Sequence, residues 1–88
     1  MHDADRIEAA IFALLDARAP DATICPSEAA RAASPDRWRR LMPQVRDVAR
    51  QLARAGRLEL RQRGAAVLPD EEIRGPIRLA RPTRGRRV

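Results

Sequence analysis

The fold is decided by residues 26–68, which read PSEAARAASPDRWRRLMPQVRDVARQLARAGRLELRQRGAAVL. Pro26 suits the first position of a helix, and a second helix-start signal follows at Ser34-Pro35. Because the two signals are only a few residues apart, the pattern predicts a short helix over 26–33 and a tight turn into a third helix.

The third helical stretch contains a proline at position 43. A proline ring and its missing N–H break an interior turn but are tolerated in a first turn. We therefore predict a short turn over residues 35–41, and then a helix from Pro43 to Ala55 that Gly56 closes in the left-handed conformation. Its apolar positions cluster on one side of the helical wheel (Val45, Val48, Ala49 and Leu52), and Arg46, Arg50 and Arg54 line the opposite side at a spacing of four.

A β-hairpin is expected after this helix. Residues 57–61 alternate between polar and apolar, residues 62–65 form a turn, and residues 66–68 return as the second strand. This hairpin, the predicted wing, carries Arg61 and Arg63.

Two elements complete the order at the N-terminal end. Residues 4–17 repeat apolar side chains at spacings of three and four behind Asp3, a good N-cap, and residues 23–25 are a short β-prone stretch. The order of helix, short strand, helix, tight turn, helix and hairpin predicts a winged helix-turn-helix, mainly α with a small β-hairpin.

The segment after the hairpin is predicted to belong to the same domain. We expect a winged-helix domain over 1–80, with 69–80 as an extended arm, and a basic disordered tail over 81–88. Ile77 and Leu79 alternate with Arg78, which favours an arm packed on the domain over a strand that recognises a partner.

Composition argues against an enzyme. The 88 residues make one domain, and 21 large apolar residues beside 17 Ala leave too little core for an enclosed substrate pocket. One Cys and one His exclude an internal disulfide and the common Cys/His zinc sites. We therefore expect no catalytic residue, no cofactor and no metal, and a cytoplasmic protein without a membrane span.

The charge points to a polyanionic partner. The chain has a net charge of +6, and residues 73–88 carry six Arg and no acid. Nucleic acid is the expected partner, and double-stranded DNA in particular, because its major groove admits one helix while a hairpin reaches the flanking phosphates. The alternative is a protein-interaction module, and whether two copies pair stays open. The candidate nucleic-acid-binding residues are Arg39, Arg46, Arg50, Arg54, Arg61, Arg63 and Arg78.

Three motifs carry a resemblance to a known family. They are T-I-C-P-S-E at 23–28, W-R-x-L-M-x-x-V-R at 38–46 and G-P-I-R at 75–78. The chain resembles a family of short bacterial proteins catalogued only as a domain of unknown function. The resemblance implies a winged-helix fold and implies no activity, cofactor or catalytic residue.

Two single residues allow a chemical as well as a structural interpretation. Cys25 could be a thiol activated by the start of the second helix, but neither a second Cys nor a nearby His supports it, so we favour a packing or capping residue. Trp38 could stack on a base, but single-strand binders use several aromatic residues, so we favour a core anchor that covers the second helix.

Overall fold

A computed structural model describes residues 2–82 of the chain. They form three helices and four short strands, in the order α1 (Asp3–Asp16), β1 (Thr23–Ile24), α2 (Pro26–Ala33), α3 (Trp38–Arg54), β2 (Glu59–Gln62), β3 (Ala65–Val67) and β4 (Arg78–Ala80). The architecture is a mixed α/β fold of three helices and a small antiparallel sheet. The predicted helices and hairpin are present, and the sheet is larger than the hairpin alone.

The first two helices begin within a residue of the predicted positions. The N-cap of α1 is His2 and not the predicted Asp3. Asp3 lies in the first turn, where its negative charge interacts favourably with the positive end of the helix dipole. α2 has the predicted bounds, with Cys25 as its N-cap and Pro26 in the first turn. The Glu28 carboxylate accepts a 2.9 Å hydrogen bond from the backbone N–H of Cys25, as in a capping box.

The predicted break at Pro43 is wrong, because α3 runs without interruption through it. An interior proline costs a helix about 3 kcal/mol. On either side of it α3 buries Leu41, Val45, Val48, Ala49 and Leu52, each at most 6% exposed. Since a buried aliphatic side chain stabilises by about 1.5–3 kcal/mol, the packing of the whole helix exceeds the local cost.

The end of α3 follows the prediction in detail. Gly56 has a φ of 76°. Its N–H donates to the carbonyl of Ala53 at 3.0 Å, and the N–H of Arg57 donates to the carbonyl of Leu52 at 2.9 Å. This is the Schellman arrangement, which satisfies two of the last carbonyls of the helix and turns the chain into β2.

The hairpin has a two-residue turn at Arg63-Gly64. Gln62 pairs with Ala65, and the two turn residues have φ values of 56° and 82°. Two positive φ values define a type I′ turn, whose twist matches that of the flanking strands.

The sheet has the order β1-β4-β2-β3, so the last strand in sequence lies in its interior. Leu79 pairs with Ile24 on one side and with Leu60 on the other, and all three are at most 1% exposed. They join Ile7, Ile11 and Val45 of the helices in one core. Ile73 and Ile77 are also buried, whereas residues 70–72 and 74–76 are exposed. Of the predicted tail over 81–88, residues 83–88 lie outside the described part of the chain.

Candidate nucleic-acid interface

The outer side of α3 is rich in arginine. At about 3.6 residues per turn, Arg39, Arg46, Arg50 and Arg54 fall away from the buried stripe. Arg39 and Arg54 are exposed, and Arg46 and Arg50 are half-buried.

Two of the predicted binding residues form ion pairs with carboxylates of the chain. Arg54 Nε lies 2.7 Å from Asp70 Oδ1, and the side chains are 52% and 77% exposed. Arg61 Nε lies 2.9 Å from Glu59 Oε2, and these side chains are 27% and 16% exposed. An exposed pair contributes about 0.2–1 kcal/mol, so a phosphate can replace Asp70 more readily than Glu59.

Two further predicted residues donate to neutral oxygens and keep their full charge. Arg46 Nη2 donates to the backbone carbonyl of Gly75 at 2.8 Å. Arg78 Nε donates to Thr23 Oγ1 at 2.9 Å, and its Nη2 donates to the carbonyl of Thr23 at 3.2 Å. Both guanidinium groups hold separate parts of the fold together while remaining positive.

The remaining three predicted residues have no carboxylate partner within residues 2–82. Arg39 lies over the ring of Trp38, with 4.6 Å between its Cζ and the ring centroid. The side chains of Arg50 and Arg63 make no hydrogen bond or ion pair with another described residue. They offer unsatisfied donors to a ligand from α3 and from the hairpin turn.

The loop Gly75-Pro76 connects these two elements. Arg46 of α3 donates to the carbonyl of Gly75, and Gln62 of β2 donates to the carbonyl of Pro76 at 3.2 Å. Arg46 of α3 and Arg63 of the hairpin turn therefore flank the same loop.

Sequence reasoning missed Arg74 as part of this surface. Its side chain is 84% exposed and lines an open groove with Arg63 and Arg78. The available signal was the run of six Arg without an acid over 73–88, which predicts a polyanionic partner without singling out Arg74.

Cys25 lies at the opposite edge of the sheet from the hairpin turn. Burial raises the pKa of its thiol, but hydrogen bonds from Ser27 and the nearby charge of Arg78 outweigh burial, so the pKa lies below its ordinary value of 9.0. Its Sγ is 3.2 Å from Ser27 Oγ. No group of three or more His, Cys, Asp or Glu suited to a metal occurs within residues 2–82.

Trp38 is half-buried and packs against the core at the start of α3. Arg31 of α2 lies over the same ring at 4.2 Å from its centroid. Each such contact contributes about 0.5–1 kcal/mol at an exposed site. The ring therefore fixes two arginines near the turn between α2 and α3.

The fold and this surface define a small mixed α/β protein with an arginine-rich outer face. Over residues 4–82 the chain matches the family model described as "Protein of unknown function (DUF3253)". The chain belongs to that family, which confirms the resemblance carried by its motifs. A search of the curated proteins finds no match.

Among residues 2–82, no helix is both long enough and apolar enough to cross a membrane.

Proposed function

We propose that this protein is a non-enzymatic, nucleic-acid-binding protein of the winged-helix type. α3 acts as the recognition helix, the hairpin β2–β3 acts as the wing, and double-stranded DNA is the ligand. The observation that carries the proposal is that Arg46 of α3 and Arg63 of the hairpin turn flank one loop and have no carboxylate partner among residues 2–82. Phosphate recognition needs charged, multivalent donors, and guanidinium groups supply them.

The backbone at Arg63 supports a role for its side chain. Arg63 is the one non-glycine residue with a positive φ within residues 2–82. The left-handed conformation is unfavourable for an L-residue by about 1–2 kcal/mol, and turns of this type normally use Asn, Asp or Gly. A strained residue with a free cationic side chain at the tip of a hairpin is typical of a binding position.

The ion pairs at Arg54 and Arg61 reduce the charge of this surface without removing it. In addition to Arg39, Arg50 and Arg63, Arg46 and Arg78 keep their charge because their partners are neutral oxygens. Five arginines without a carboxylate partner among residues 2–82 are enough for salt-dependent binding, because each phosphate contact contributes about 0.9 to the slope of log K against log salt.

The proposal is tested by fluorescence anisotropy with a labelled DNA duplex at about 50 mM and about 200 mM salt. We expect affinity to fall steeply with salt, and Arg50→Gln to reduce the slope by about 0.9. Arg57→Gln is the matched control, because Arg57 pairs with Glu8 at 3.0 Å on the α1 side of the fold. Absence of binding at the lower salt concentration would overturn the proposal.

A protein-docking role is the second candidate, favoured by one apolar feature. Leu68 is 65% exposed and lines a shallow groove of about 330 Å³ with Leu58, Val67, Pro69 and Pro82. Exposed apolar surface of this kind suits a protein partner. This role predicts that Leu68→Gln abolishes capture of a partner by the immobilised protein, whereas Arg50→Gln leaves it unchanged.

A further inference from the structure

A groove of about 400 Å³ lies between the hairpin turn and the loop before β4. It is lined by Gln62, Arg63, Arg74, Gly75, Pro76 and Arg78, so three of its six lining residues are arginines and none is acidic. Arg74 and Gly75 were outside the binding residues expected from the sequence.

The loop that forms one wall of the groove is held in a fixed shape. Gln62 Nε2 donates to the carbonyls of Arg74 and Pro76, and Arg46 Nη2 donates to the carbonyl of Gly75. Three successive carbonyls are thus occupied by side-chain donors of β2 and α3. Because these three carbonyl acceptors are already hydrogen-bonded, this wall of the groove offers a ligand mainly the cationic donors of its arginines.

Gly75 allows the backbone of this loop to adopt a left-handed conformation. Its φ is 83°, a conformation that L side chains rarely adopt, although an added Cβ would meet only Gln62 Nε2 at 3.8 Å. The requirement at this position is therefore conformational rather than steric.

The charges of the groove are weakly neutralised. Arg63 has no partner among the described residues, and Arg78 donates only to oxygens of Thr23. Arg74 pairs with Glu72 at 3.0 Å, but the two side chains are 84% and 75% exposed, so a pair worth about 0.2–1 kcal/mol competes poorly with a phosphate. An oxyanion can accept charge-assisted hydrogen bonds from two guanidinium groups here.

We propose that this groove is a phosphate-binding site in which Arg63 and Arg74 are the ligands and Gln62 and Arg46 are positioning residues. The assignment of this phosphate to a nucleic-acid backbone rests on the function proposed above. A free phosphate compound would present the same oxyanion to the groove, so the test has one arm for each of the two sources.

The first arm uses inorganic phosphate added to the full chain at constant ionic strength, with chloride as the reference anion. The arginine Nε–Hε resonances are followed by ¹H–¹⁵N NMR. We expect those of Arg63 and Arg74 to shift with phosphate, and Arg74→Gln to weaken phosphate binding by about tenfold or more. Arg57→Gln is the matched control, since it removes the same charge from a pair of the same 3.0 Å length.

Gln62→Met tests positioning, because it keeps the length and neutrality of the side chain but removes its donors. We expect the phosphate-induced shift of Arg74 to diminish while the chain keeps its melting temperature to within a few degrees. An undiminished shift would overturn the positioning role of Gln62.

The second arm compares duplex binding of the wild type with that of Arg63→Gln combined with Arg74→Gln. We expect the salt slope to fall by about 1.8 for two lost contacts. Duplex binding with an unchanged slope, together with no phosphate shift at Arg63 or Arg74, would overturn the groove and leave the proposed function intact. Phosphate shifts without any duplex binding would support the oxyanion site and overturn its nucleic-acid source.

Discussion

Replacing Arg63 with Asn is expected to stabilise the fold and to weaken nucleic-acid binding at the same time. The backbone at position 63 has a φ of 56°, which is unfavourable for an L-residue by about 1–2 kcal/mol. Asn tolerates this conformation, and followed by Gly64 it supplies the pair that type I′ turns favour. Arg63 contacts no acid within residues 2–82, so no ion pair is lost. We expect the free energy of unfolding to rise by about 0.5–1 kcal/mol and the melting temperature by about 2–8 °C.

The two effects are measured separately on the same variant. Thermal unfolding followed by circular dichroism gives the change in stability, and anisotropy with a labelled duplex gives the change in salt slope. Arg63→Asn should lower that slope by about 0.9 for one lost phosphate contact. Arg63→Ala is the control, because it removes the charge but keeps a residue that is strained at this φ.

Arg63→Asn and Arg63→Ala should differ in stability but not in binding. Both should lose the same binding, and only the Asn variant should gain stability. A gain in stability without any loss of binding would refute the role of the Arg63 charge. Equal stabilities of the two variants would refute the role of its backbone strain.

Three further variants test the fold. Pro43→Ala should raise the free energy of unfolding in urea by about 1–3 kcal/mol, because it restores an N–H donor inside α3, and a loss of stability would contradict the cost assigned to Pro43. Leu79→Ala should lower it by about 2–5 kcal/mol, because Leu79 is fully buried in the sheet, and a change below about 1 kcal/mol would contradict the central place of β4. The Glu28 carboxylate accepts hydrogen bonds from Arg18 and from the backbone N–H of Cys25, and both lower its pKa below the ordinary value of 4.5. The ionised carboxylate therefore stabilises the fold above that pH, and this stabilisation is lost as the pH falls through the pKa of Glu28 in the folded state. The stability advantage of the wild type over Glu28→Gln should therefore be full at neutral pH and shrink in acid, and an advantage independent of pH would refute the ion pair.

The elements that could be predicted from sequence are those set by local chemistry. The bounds of α2 follow from Pro26 and the capping position before it, and the hairpin turn follows from Gly64 between alternating strands. The end of α3 follows from Gly56. In each case residues within one turn of the chain determine the backbone conformation.

The errors arise where distant parts of the chain meet. Pro43 predicts a break from its own chemistry, but packing along the whole of α3 prevails. Alternation around Arg78 predicts a packed extended segment but does not identify β4 as an interior strand, because the strands it pairs with lie far away in sequence.

In the candidate site too, local sequence predicts where the arginines lie, whereas distant parts of the chain determine their partners. Periodicity places Arg46, Arg50 and Arg54 on one side of α3, but it cannot reveal which of them find partners. Arg54 meets Asp70 sixteen residues later, and Arg46 meets a carbonyl twenty-nine residues later. The structure therefore distinguishes free arginines from paired ones, which the sequence treats as equivalent.

In the proposed interface, the outer side of α3 and the hairpin turn bind nucleic acid as one surface. Backbone amide shifts of the labelled full chain, followed during titration with an unlabelled DNA duplex at low salt, map this interface residue by residue. The largest shifts should occur at Arg46, Arg50, Arg63 and Gly64 and saturate together. Shifts centred instead on Leu68 and its apolar groove, or no shifts at all, would contradict it.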